Sequence, residues 1–178
     1  MLTTDFPDSH PLHARVLNPH EQRILDRLES VMDPEIPTLN ILDLGIVTRI
    51  QADNTDRAQV QLTPTFSGCP ALKIMESMVH EALKTEGFHQ VEVTTSFETA
   101  WNSNLISERG LQSLKKHGLA PPPRHEGYIE LDVLSDTPCP LCGSRNTTLQ
   151  TPFGPTLCRS MHYCNHCHNG FEGFKPVE

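Results

Sequence analysis

The chain has 178 residues, and 22 acidic against 14 basic side chains give it a formal net charge of -8, which argues against binding a phosphate backbone. Residues 128–178 repeat the imbalance, with Arg145, Arg159 and Lys175 against Glu130, Asp132, Asp136, Glu172 and Glu178, so the nucleic-acid role common among small zinc modules is disfavoured. No apolar run approaches the ~18 residues that span a bilayer, and the opening MLTTDFPDSHPLHARVLNP has acids and prolines where a secretory leader is basic and then apolar; a cytoplasmic protein is expected.

After an N-terminal tail over 1–18, Asn18-Pro19-His20-Glu21 reads as an N-cap, a proline in the first turn and a capping-box acid. Ile24, Leu25, Leu28, Val31 and Met32 recur at helical spacing, which predicts a helix over 19–33, stopped by Asp33-Pro34-Glu35-Ile36-Pro37. Residues 46–52 and 58–63 flank the turn-rich Asp53-Asn54-Thr55-Asp56, and Ala58, Val60 and Leu62 alternate with polar residues, so a hairpin is expected. After Pro70 the period becomes helical through Leu72, Met75, Val79, Ala82 and Leu83, with Gly87 to end it. A third strand follows through Val91, Val93, Thr95 and Phe97. The order α-β-β-α-β predicts a small α/β (α+β) domain, a mixed-sheet two-layer sandwich. Ser107–His117 can add a short helix ended by Gly118, closing a domain over 19–118. A proline-rich linker over 119–127 then leads to a second module over 128–178.

Five of the six cysteines lie beyond residue 138. Cys139-Pro-Leu-Cys142-Gly143 and Cys164-Asn-His-Cys167 form two CxxC pairs, and in a reducing compartment such pairs bind metal rather than oxidise. Four thiolates complete a closed tetrahedral Zn²⁺ site of the ribbon type, whose default role is structural; the same sulfurs could also hold iron. Cys158, His162, His166 and His168 lie nearby and are read as bystanders, because the pairs already satisfy the ion. The aromatic residues Phe153, Tyr163, Phe171 and Phe174 are read as ribbon core before client surface.

The remaining cysteine, Cys69, sits in LTPTFSGCPA at a junction from strand to helix. With Pro70 in the first turn, Cys69 is expected to be the N-cap residue, its thiol pKa lowered by the positive end of the helix. A thiolate so held can be a nucleophile, a metal ligand or a cluster ligand; the bland alternative is an inert thiol in the helix–sheet seam. Asp33, Glu35 and Asp43 are the carboxylates that could converge on it, and Asp43, embedded in an apolar run, needs a partner.

DPEIPTLNILDLGIV (33–47) and LTPTFSGCPA (62–71) together resemble the small metal-sulfur cluster biosynthesis family that includes SufT-like proteins and cytosolic iron-sulfur assembly factors. With the ribbon appended, the architecture is similar to the D-component family of phenylacetyl-CoA epoxidase systems. The resemblance implies an accessory protein of aerobic phenylacetate degradation that installs or repairs an iron-sulfur cluster in a client such as the reductase component. It carries the family's acids onto Glu35 and Asp43 and its cysteine onto Cys69, which would hold iron or a cluster transiently. A homodimer would supply a second Cys69. Two rivals stand beside this reading: a structural adaptor of the multicomponent oxygenase, and an enzyme in which Cys69 attacks an acyl thioester. The enzyme lacks an evident base, since His80 and His89 lie beyond the start of the helix.

Overall fold

The computed structural model describes residues 6–53, 56–98, 100–126 and 131–177. At Asn18 the capping box forms: the side chain accepts from the His20 and Glu21 amides at 2.9 Å, and Glu21 accepts from the Asn18 amide at 3.0 Å. Helix α1 (Pro19–Leu28) buries Ile24, Leu25 and Leu28. It ends short of the expected residue 33 because the next backbone groups pair elsewhere. The Ile41 amide donates to the Val31 carbonyl, the Asp33 amide donates to the Leu39 carbonyl, and Met32 bridges Asn40. Val31 is still buried, so the apolar period outlasts the helix.

Strands β1 (Val47–Ala52) and β2 (Arg57–Leu62) form the antiparallel hairpin; Asn54 and Thr55 of the expected turn lie outside the described residues. Helix α2 (Leu72–Thr85) crosses over to β3 (Gln90–Thr95), which lies parallel to β2, as a strand reached through a helical crossover can. The result is a mixed three-stranded sheet ordered β1-β2-β3. Ala58, Val60 and Leu62 point into a core shared with Met75, Val79 and Leu83 of α2 and with Ile24 and Leu28 of α1. Phe97 falls beyond β3 and stays exposed. Helix α3 (Glu108–His117) starts at Ser107, whose side chain accepts from the Gly110 amide, and stops at Gly118 in the left-handed region.

Leu119 and Ala120, at the start of the stretch read as a linker, form a two-residue strand, β4, parallel to the last strand of the ribbon. The ribbon sheet holds β5 (Thr147–Thr151), β6 (Arg159–Cys164) and β7 (Gly170–Phe174), in the order β4-β7-β6-β5. Its C-terminal end reaches back into the first domain. Phe174 belongs to the large core, with its ring 6.0 Å from that of Trp101, and the Ser103 amide donates to the Val177 carbonyl at 2.9 Å. The N-terminal segment is also tied down: Leu12 and His10 are buried, and Arg15 donates to the Ile50 carbonyl and pairs with Glu21 at 2.6 Å. Among the described residues no helix is long and apolar enough to cross a membrane.

Candidate functional site

In the ribbon, the four CxxC sulfurs all lie within 4.8 Å of one another, with Cys139–Cys167 at 3.8 Å and Cys142–Cys164 at 3.6 Å. A tetrahedron with ~2.3 Å metal–sulfur bonds has edges of about 3.8 Å, so the donor set fits a zinc ion closely. The two knuckles are built alike. Gly143 and His168 donate to the carbonyls of Cys139 and Cys164, both at 2.9 Å, and the Cys139 and Cys164 amides donate to the carbonyls of Ser144 and Asn169 at the same distance. Each loop therefore needs a left-handed residue after its second cysteine. Gly143 supplies it at φ 76°, and His168 adopts it at φ 59°, which costs a residue with a side chain more than it costs glycine. Of the other ring candidates, His162 is buried inside the ribbon, stacked on Phe171 and hydrogen-bonded to Ser160. The aromatics divide: Phe171 and Phe174 are buried, while Phe153 is exposed beneath the Lys175 ammonium and Tyr163 lies at the surface.

The first domain places Cys69 differently from the expectation. Helix α2 begins at Leu72, and its N-cap is Ala71, not Cys69. Residues 70 and 71 make a turn before the helix, and the Cys69 carbonyl accepts from the Leu72 amide at 3.3 Å. The thiol is half-buried, and its pKa is raised, not lowered. Burial is the main cause; a backbone hydrogen bond from Ala71 pulls the other way, and the charges of Asp33, Cys158 and Glu35 add to the rise. The charges felt by the thiol thus include two of the three candidate acids and, unforeseen, a cysteine of the ribbon.

Asp33 is held by its own turn: Oδ1 accepts from the Glu35 and Ile36 amides, both at 2.8 Å. Burial pushes this carboxyl above its ordinary range, against those two amides and the charges of Arg159 and His117. A raised carboxyl pKa means that the folded state favours the proton. The favourable contribution is present below the ordinary value near pH 4 and is lost as pH rises through the raised value. Asp33→Asn keeps the Oδ1 acceptor and removes the ionisation. Its stability relative to the parent, read as urea midpoints over a pH series, is expected to grow from about pH 4 upward and then level off; a difference that stays flat with pH would contradict this placement.

Asp43 is spent elsewhere. Its carboxylate accepts from Ser107 Oγ at 2.6 Å, Arg109 Nε at 2.7 Å and Asn40 Nδ2 at 2.9 Å, while its carbonyl accepts from the Ser107 amide. It pins the start of α3 to the loop before β1. The approach is close: a Cβ on Gly110 would lie 2.6 Å from the Asp43 carbonyl oxygen. The partner that an acid in an apolar run demands is thus Arg109, which sequence spacing could not single out.

Glu35 is partly exposed and faces the ribbon, where its carboxylate lies 3.8 Å from Arg159 Nη2 and its carbonyl 3.5 Å from the same atom. Arg159 also pairs with Glu172 at 2.9 Å. Glu35 and Arg159 therefore face each other across a seam between the first domain and the ribbon, with Asp33 in the turn beside Glu35.

Comparison with known proteins bears on both walls. Residues 21–95 match the family described as iron-sulfur cluster assembly protein, and residues 130–175 match the PaaD zinc beta ribbon domain. A protein of Escherichia coli K12 that is named for a component of 1,2-phenylacetyl-CoA epoxidase is 33% identical over 164 residues, covering 92% of this chain and 98% of that relative. The chain belongs to the PaaD family. The front part of this PaaD-family chain is also 32% identical over 95 residues to an "Fe-S protein maturation auxiliary factor" of Porphyromonas gingivalis W83, covering 53% of the chain and 90% of the relative. A crystal structure of domain of unknown function DUF59 from Bacillus anthracis is 30% identical, with a TM-score of 0.49, over 53% of this chain and 90% of that one.

Proposed function

We propose that the chain is a maturation factor that takes up iron or an iron-sulfur cluster at Cys69 and passes it to a protein of the phenylacetyl-CoA epoxidase system, the iron-sulfur reductase component being the client. The observation that carries this reading is the half-buried free thiol of Cys69, on which the charges of Asp33 and Glu35 act, in a domain matched by the iron-sulfur cluster assembly protein family. A thiol whose pKa is raised gives up its proton only when a metal replaces it, and takes it back readily when the metal leaves. That favours brief holding over storage. Glu35 adds an oxygen donor and negative charge, Asp33 holds the turn that carries Glu35, and Asp43 serves the site by fixing α3 against the loop before β1.

The ribbon supports client docking. Leu141, Phe153 and Leu157 are each more than half exposed and offer apolar surface to a partner. A zinc ion held by Cys139, Cys142, Cys164 and Cys167 would keep these loops in shape without taking part in transfer. The acyl-transfer alternative draws less support: a cysteine nucleophile uses a lowered thiol pKa beside a histidine, and the groups acting on Cys69 are acids and a second thiol that raise it.

Anaerobic reconstitution with ferrous iron and sulfide tests the proposal. Wild-type protein should take up iron at a site outside the ribbon and restore activity to a cluster-free reductase, whereas Cys69→Ala, with its ribbon zinc intact, should do neither. Full transfer by Cys69→Ala would remove the thiol from the mechanism. A requirement for the chain even with cluster-loaded reductase would assign it to the adaptor class instead.

A further inference from the structure

The two edges of the first domain's sheet differ. Strand β1 is guarded: its register shifts between Val47 and Arg49, Arg15 donates to the Ile50 carbonyl at 2.8 Å, and Asn18 Nδ2 donates to the Ala52 carbonyl at 3.0 Å. Strand β3, the opposite edge, has no such guard. The Gln90 amide donates to the Asp56 carbonyl and the Ser96 amide to the Leu62 carbonyl, so the even-numbered residues bond towards β2. Backbone groups alternate sides along a strand, and those of Val91, Val93 and Thr95 therefore point away from the sheet. Among the described residues these outward groups have no hydrogen-bond partner. The strand also lacks the proline, lysine or bulge that commonly keeps an edge from pairing. Its inner side chains show the same opening: Val91 and Val93 are only half-buried, whereas Ala58 and Val60 beside them on β2 are buried.

We propose that β3 is a dimerisation edge, which pairs with β3 of a second copy of this chain, antiparallel about a two-fold axis at Val93, and joins two three-stranded sheets into one. Register decides for this occupant. With the axis at Val93, the outward groups of Val91 meet those of Thr95 of the partner subunit, Val93 meets the partner's Val93, and Thr95 meets the partner's Val91; each such pair exchanges both of its hydrogen bonds. On the outer face Glu92 then lies opposite the partner's Thr94, whose hydroxyl can donate to the carboxylate. An axis at Glu92 would set two carboxylates against each other, and an axis at Thr94 would carry Val91 past the end of the facing strand. Only the axis at Val93 uses every outward group without a like-charge contact.

This pairing also decides what a dimer does to Cys69. Strands β2 and β3 are parallel, and the Cys69 loop follows the C-terminal end of β2. In an antiparallel pair those ends point in opposite directions, so the two Cys69 loops lie at opposite ends of the joint sheet. The dimer keeps the two thiols apart, and the inference stands whether or not Cys69 carries iron.

The test measures the oligomeric state of the full, zinc-loaded chain by sedimentation equilibrium over a dilution series. Wild-type protein is expected to pass from dimer to monomer on dilution. Val93→Pro removes an amide that points outward and none that bonds β2, so it should leave the chain folded and monomeric throughout. Thr94→Glu and Thr94→Lys test the register. The first sets a second carboxylate opposite Glu92 of the partner subunit and should weaken the dimer about 2–30-fold; the second sets an ammonium there and should strengthen it by a similar factor, the size of two cross-strand charge pairs. Wild-type protein that is monomeric at every concentration overturns the inference, as does a Val93→Pro chain that dimerises like wild type. Should Val93→Pro fail to fold, the Thr94 variants decide, and equal affinities for the two overturn the inference. Amide exchange gives a readout without substitution: in wild-type protein the amides of Val91, Val93 and Thr95 should exchange more slowly at high concentration than at low, while those of Gln90, Glu92 and Thr94 stay protected at both. Exchange at Val91, Val93 and Thr95 that does not change with concentration overturns the pairing.

Discussion

Cys164→Ser is expected to unfold the ribbon sheet and, beyond that, to lower the melting temperature of the whole chain. Zinc binding to small four-ligand modules is worth about 10–16 kcal/mol near neutral pH, comparable to the entire ~5–15 kcal/mol stability of an ordinary domain. Cys164 is completely buried in the small ribbon core with Cys139 and Phe171, and little else is there to hold three short strands together. The effect spreads because Phe174 and Val177 lie past the last knuckle yet pack against the large core and pair with Ser103. Chelation should reproduce the substitution, and acid should favour it. Without an ion the crowded sulfurs divide. Cys167 is held down to about 6, first by its hydrogen bond from the Asn169 side chain. Cys142 is pushed up to about 12: the Ser144 backbone pulls against this and is outweighed by desolvation and the other three sulfurs. Protons compete with metal for the thiolates, so zinc retention should weaken as pH falls. Circular dichroism melts with parallel zinc analysis check all three statements; a first domain that melts unchanged after zinc loss would refute the coupling.

Asp43→Ala is expected to cost about 2–4 kcal/mol, because breaking a buried ion pair typically costs about 3–5 kcal/mol and Arg109 can recover some hydration. The side chain of Asp43 is 4% exposed against 44% for Arg109, so the loss falls mainly on the inner groups: Ser107 loses its acceptor and the entry to α3 loses its anchor. Asp43→Asn keeps an oxygen for Ser107 and should cost less. Urea unfolding followed by far-ultraviolet circular dichroism gives both values. If instead Asp43→Ala unfolds like wild type but fails to take up iron, the carboxylate is a ligand and the anchoring role described here is wrong.

Both predictions depend on contacts whose legibility in the sequence differs. The CxxC pairs were readable because a metal's demand for ligands is local to each turn and indifferent to the loop between. The starts of α1 and α3 were readable for a similar reason, since Asn18 and Ser107 satisfy amides two or three residues away. The end of α1 was not. Val31 and Met32 fit the helical period, and only the pairing of 31–33 with 39–41 draws them out of it. Nor could β4 be read, because two residues become a strand only when β7, some fifty residues on, lies beside them.

The Cys69 loop shows the limit most clearly. Proline after the cysteine suggested a cap, but the turn runs on through Ala71 and carries the thiol off the helix end. The charges of Asp33 and Glu35 act on it, from a polar loop that the sequence marks as a candidate neighbour. The arrival of Arg159 beside Glu35 was not legible, because that contact bridges 124 residues and no periodicity reaches that far. The partner of Asp43 was hidden in the same way: the sequence shows that a buried acid needs a cation, and the fold chooses Arg109.

The β4–β7 pairing also bears on how such a protein can be cut and rejoined. Leu119 and Ala120 come before the prolines in the chain but lie in the ribbon sheet, and Phe174 comes after the knuckles but lies in the front core. A protease that nicks the chain at the exposed Pro123 and Arg124 should therefore leave the two pieces associated under native conditions. A chimera that borrows this ribbon must take its splice point upstream of Leu119 and bring a receptive pocket for Phe174, or it will inherit a module with two of its attachments missing.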